Sequence, residues 1–141
     1  VAGVVGALLG GFLADRVGVK AMITISALGI SALCAAMGAS EELWGNELFP
    51  MTFLLGTTFL LSMMTVASFS LFMRLCTPAV AGTQYTLYMA MMNLGRIPGT
   101  ALVAGLADSG YRTTFLAMAV AIVVPLLFLY PIRQDQQGAA A

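Results

Sequence analysis

The feature that most limits what this chain can fold into is the spacing of its charges. No Asp, Glu, Lys or Arg occurs between Lys20 and Glu41, between Glu47 and Arg74, or between Arg112 and Arg133. Each gap is close to or above the roughly 20 apolar residues that carry a helix across a bilayer. The charges cluster in the short stretches between the gaps, at the sites expected for membrane surfaces. Hydrophobic residues make up 60% of the chain and charged residues 9%, where soluble domains carry about 25% charge. The pattern predicts an all-α, polytopic transmembrane helix bundle with the lipid bilayer as its first partner. A net charge of zero leaves no basic footprint for nucleic acid.

The expected segments are a partial helix over 1–13, helices over about 21–39, 51–73, 84–107 and 113–132, and a tail over 133–141. The first segment is too short to span and lacks a signal-peptide n-region, so the expectation is a fragment that begins inside a helix. In it Gly3, Gly6 and Gly10 recur at helical spacing and form one smooth face suited to close helix approach in lipid. The loop over 40–50 carries three acids, no base, and the interfacial aromatics Trp44 and Phe49. On the third segment Thr58, Ser62 and Thr65 form a mildly polar stripe, read either as helix packing or as solute contact. Pro125 is expected to kink the last helix. Arg16, Lys20, Arg74 and Arg133 fall in alternate connections. By the positive-inside rule these face the cytoplasm, with the C-terminus inside and Arg112 dissenting.

Little here can do covalent chemistry. There is no His, no carboxylate inside a span, and no nucleophile paired with a base, so an enzyme is not expected. Cys34 and Cys76 have no second ligand at metal spacing and read as packing thiols, with no metal and no cofactor implied.

Arg96 is the exception to the apolar rule, because it lies near the middle of the fourth span. An Arg at that depth costs about 2.5–3.5 kcal/mol on insertion scales, so it faces a bundle interior or a wet cavity. Tyr85, Met89, Asn93, Arg96 and Thr100 share one helix face. A guanidinium in a low-dielectric cavity anchors carboxylate or phosphate. The competing reading is a structural ion pair or carbonyl clamp. Gly95 and Gly99 around Pro98 predict a close approach to a neighbour and a bend there.

The run Gly11-Phe12-Leu13-Ala14-Asp15-Arg16-Val17-Gly18-Val19-Lys20 resembles the signature loop of the major facilitator superfamily, departing at Val19 where an Arg is commoner. Four spans follow it, so the resemblance places it between helices eight and nine of twelve. The chain would then be part of the C-terminal six-helix half, and its missing N-terminal half would be a partner. Leu75 to Leu87 and on to Arg96, with its Thr83-Gln84-Tyr85 run, is similar to the peptide–acetyl-coenzyme A–drug transporter group, which includes muropeptide permeases. Asp108 to Phe115 also resembles the superfamily's lead into its last helix.

What the resemblance implies is a secondary transporter of the bacterial inner membrane, moving a small anionic or amphiphilic solute such as a muropeptide. In such a carrier the Arg96 face read above would bind the anionic group, with Asn93 and Tyr85 assisting and Met89 and Thr100 on the same face. It also implies a conformational latch of Gly11, Asp15, Arg16, Gly18 and Lys20, with Arg74 as the candidate partner of Asp15. A topology anchor is the simpler alternative for that loop. A multidrug or siderophore carrier, or a non-transporting sensor, are the alternatives for the whole. No acid lies within a span, so if transport is coupled to protons the titratable group is expected elsewhere in the protein.

Overall fold

A computed structural model describes residues 2–108 and 110–129. The expected tail over 133–141, Arg133 with it, and the last three residues of the fifth expected span lie outside the described residues. Five helices follow one another: α1 (Ala2–Val17), α2 (Val19–Ala39), α3 (Leu48–Leu75), α4 (Ala81–Ala107) and α5 (Tyr111–Leu129). Short 3-10 turns at Glu41–Gly45 and Pro78–Val80 lead into α3 and α4. No strand occurs among the described residues. The chain is an all-α transmembrane bundle, with successive helices running up and down.

Three helices, α2, α3 and α5, are long and apolar enough to cross a membrane, where four full spans were expected. The exception is α4. At 27 residues it is about 40 Å long, so length is not the limit. Its apolar content is diluted by Gln84, Asn93, Arg96 and its threonines and glycines.

The helices pack in a row, with α3 between α1 and α2, and α2 between α3 and α5. The α1–α3 seam is built on the glycine face. A Cβ at Gly6 would sit 2.5 Å from the Phe59 carbonyl oxygen, and one at Gly10 would sit 2.8 Å from Met63 Cα. Only a residue without a side chain lets the two backbones meet so closely. Below this contact Ala14, Val19, Met22, Met63, Ala67 and Leu71 form one buried core, and Ile30, Cys34 and Ala119 form a second between α2 and α5. The Ser31 hydroxyl donates to the Ala119 carbonyl across that second interface at 2.7 Å. The hydroxyls of Thr58, Ser62 and Thr65 donate to carbonyls of their own helix. Thr58 and Ser62 also line the space beside Gly3, so at these two positions the stripe serves packing.

One expectation of local geometry changes. The expected helices leave residues 14–20 as a compact charged turn. The helix instead continues through Asp15 and Arg16 to Val17, and the reversal is concentrated at Gly18, whose φ of 95° is open to glycine and few other residues. Gly11, Asp15 and Arg16 are thus helical, and Lys20 lies in the first turn of α2. The neighbour expected at Gly95 and Gly99 is not among the helices described here. Among the described residues no atom of a neighbouring element lies within 4 Å of where a Cβ would sit at either. The same holds at Gly82 and Gly105, and none of the residues of α4 is buried. Both α4 and α5 remain helical through Pro98 and Pro125 respectively.

At the end of the bundle away from Gly18, Trp44 donates its indole N–H to the Met37 carbonyl at 2.9 Å and so satisfies an orphan acceptor of α2. Its ring meets Tyr111 and Phe115 edge-on, with centroids 6.5 and 6.2 Å away, and Phe115 meets Phe53 at 5.5 Å. These edge-to-face pairs tie α2, α3 and α5 together where an interfacial aromatic belt belongs.

Candidate functional site on α4 and the charged end

Helical periodicity puts Tyr85, Met89, Asn93, Arg96 and Thr100 on one stripe of α4. Tyr85 and Met89 are half-buried, and Asn93, Arg96 and Thr100 are exposed. Arg96 has no acidic partner among the described residues. The Thr100 hydroxyl donates to the carbonyls of Arg96 and Ile97, both at 2.9 Å, which leaves its oxygen free to accept. Pro98 has no N–H, so the Leu94 carbonyl loses its helical donor one turn below. Unpaired guanidinium, hydroxyl oxygen, carboxamide and freed carbonyl therefore lie within two turns. That set can bind an anion and its polar neighbours. Of the stripe, Tyr85 lines an open depression of about 420 Å³ that it shares with Met73, Cys76, Ala81 and Gly82. The other four are strung along the helix above it.

The beginning of α4 is held by contacts that the sequence pattern does not announce. The Thr77 N–H donates to Gln84 Oε1 at 2.7 Å. One turn on, Tyr88 stacks against Phe72 of α3, centroids 5.3 Å apart and planes at 24°. The available signal was a carboxamide two turns after a Thr-Pro step, a spacing at which it can reach back over the intervening turn.

The charged end gathers Asp15 and Arg16 at the close of α1, Lys20 at the start of α2 and Arg74 at the close of α3. Arg74 Nη2 lies 3.8 Å from Asp15 Oδ1, a long pair with both side chains well exposed. Asp15 does not cap α2, whose first turn follows Gly18 with no side-chain cap. The Arg16 guanidinium folds back over the Phe12 ring of its own helix, 4.5 Å from the centroid. Asp15 and Arg74 are thus the two members of the expected latch that join separate helices, and Arg16 and Lys20 stay on their own. The opposite end carries Glu41, Glu42, Glu47, Asp108 and Arg112. Among described residues near the ends, one end has three bases and one acid, and the other has one base and four acids.

A family model described as Major Facilitator Superfamily matches residues 1–140. A protein named Probable folate-biopterin transporter 4, from Arabidopsis thaliana, is 32% identical over 77 residues, which is 48% of this chain and 16% of that relative. The matched stretch is therefore a small part of the relative's length. No solved structure gives a significant match.

Proposed function

The chain belongs to the Major Facilitator Superfamily, and on that premise we propose that it is part of a secondary transporter, not an enzyme, whose α4 stripe contacts a small anionic solute. The observation that carries this reading is Arg96. A permanent positive charge sits mid-helix in a membrane protein with no counter-charge among the described residues, and hydrocarbon does not host such a group. Water, an anionic ligand or a group from the rest of the protein must complete it, and the polar neighbours on its own face favour the ligand. Asn93 and the Thr100 oxygen lie beside it on the same face to take the ligand's polar atoms, and Tyr85 and Met89 give the apolar floor of an amphiphilic one.

The remaining half of the transporter would cover the open side of α4, with solute held between the halves and exposed alternately to each side. The base-rich end lies in the cytoplasm, as the asymmetry of charge favours, and the membrane is the bacterial inner membrane. The Asp15–Arg74 pair acts as a latch between α1 and α3 that closes in one state and opens in the other. Two solute classes follow. The resemblance around Thr83-Gln84-Tyr85 favours a muropeptide, and the folate-biopterin transporter relative favours a pterin carrying a carboxylate. Both offer Arg96 an anion.

The test is uptake by the full-length protein. Arg96→Ala at unchanged membrane level should reduce uptake to background, and Arg96→Lys should restore part of it, since a point charge replaces the planar fork. Unaltered uptake by Arg96→Ala overturns the assignment. Competition of labelled anhydromuropeptide against folate then decides the class.

A further inference from the structure

We propose that Gln84 is a positioning residue: its hydrogen bond to the Thr77 N–H sets the direction in which the polar stripe of α4 faces. The inference rests on the reading of that stripe as the solute face. Against the helices described here α4 buries no residue and its four glycines meet open space. It meets both α3 and α5, and the contacts that fix its rotation against α3 and the turn after it, through Tyr88 and Gln84, lie at its start.

Each residue advances about 100° around a helix. Gln84 and Tyr88, four apart, lie on one edge, and Tyr85 opens the stripe about 100° further on. Any turn of α4 that breaks the 2.7 Å bond of Gln84 and unstacks Tyr88 from Phe72 swings Arg96 by the same angle. Thr77 is a firm donor for this purpose. It precedes Pro78 and takes the extended conformation such a residue requires, with φ −78° and ψ 130°. Its N–H thus points in one direction. The contact works as a capping side chain does when it reaches back to a backbone donor before the helix, here across the whole Pro78–Val80 turn.

The experiment uses the full-length transporter with Gln84→Ala, the near-isosteric Gln84→Met, which keeps length but loses the acceptor, and Gln84→Glu, which keeps it. Two readouts are taken. One is transport kinetics for the solute identified above. The other is activity-independent: the rate at which a membrane-impermeant maleimide labels Asn93→Cys in a background with Cys34→Ala and Cys76→Ser. Both Gln84→Ala and Gln84→Met should shift the labelling rate by at least about threefold. They should also raise KM about fivefold, the scale of one neutral hydrogen bond, with kcat little changed. Gln84→Glu should restore both. Either variant alone suffices if the other fails to reach the membrane. Unchanged labelling, or no rescue by Gln84→Glu, overturns the positioning role. Shifted labelling with unchanged KM upholds it and instead removes the stripe from the solute site.

Discussion

The α1–α3 seam and the α4 helix are both rich in glycine at helical spacing, yet they use it in opposite ways. At the seam Gly6 and Gly10 press against the backbone of Phe59 and Met63. On α4, Gly95 and Gly99 have open space beside them among the described helices, and the helix meets α3 and the turn after it through Tyr88 and Gln84 near one end and also contacts α5. The difference teaches that a small-residue stripe records permission for close approach, and the approach itself needs a neighbour. It also separates the packed helices α1, α2, α3 and α5 from α4, which buries no residue against them and carries the unpaired charge. Positions of low local contact are where moving and binding elements are found.

The sharpest way to break the comparison is Gly6→Leu or Gly10→Leu, for which we expect loss of folded protein in membranes. The same change at Gly99, which meets nothing among the described helices, should cost less folded protein than either, read by fluorescence size-exclusion of detergent extracts; an equal loss would place a close neighbour from the rest of the protein there. A gentler version uses alanine. Gly6→Ala should cost about 1–3 kcal/mol, because the new Cβ overlaps a carbonyl oxygen that cannot move without the helix. Gly105→Ala should be neutral or should stabilise by up to about 1 kcal/mol, since it gains helix propensity and meets nothing; thermal unfolding of the purified protein separates the two. Between α2 and α5, Ser31→Ala removes the donor to Ala119 and should cost about 0.6 kcal/mol, the average for such bonds between membrane helices.

The smallest effect is expected at the charged end. Asp15→Asn should change stability by less than about 1 kcal/mol, because the pair with Arg74 is long and exposed. What little it contributes should fade as salt is raised. A large stability loss there would mean that the pair is more than a surface contact.

Much of the fold was legible in the chain because lipid leaves few options. Charge-free runs of sufficient length become helices, and charges mark their ends. The helical periodicity that put Gly3, Gly6 and Gly10 on one face needed no partner to be recognised. The turn at Gly18 was harder to read. Asp15, Arg16 and Lys20 look like a loop by polarity, but polarity alone does not end a helix, and one glycine at positive φ suffices to reverse the chain. The fourth span was expected with Arg96 inside it, and Gln84, Asn93 and Arg96 dilute its hydrophobic residues enough that it falls short of the apolar content of α2, α3 and α5. The contacts of Gln84 with Thr77 and of Tyr88 with Phe72 were illegible for another reason: they depend on how α3 and α4 meet across a proline turn, which no single-helix pattern encodes.

By itself the sequence determined that this chain lives in a membrane, how often it reverses, and that a guanidinium is carried at mid-helix. Those properties follow from the cost of moving charge and bare backbone into hydrocarbon, a cost paid residue by residue. The tertiary structure decided which glycine faces close, which helices share buried cores, and that α4, with Arg96 on it, buries none of its residues against them. Such choices depend on the presence or absence of a neighbour at a given face, and packing energy exists only between surfaces that meet.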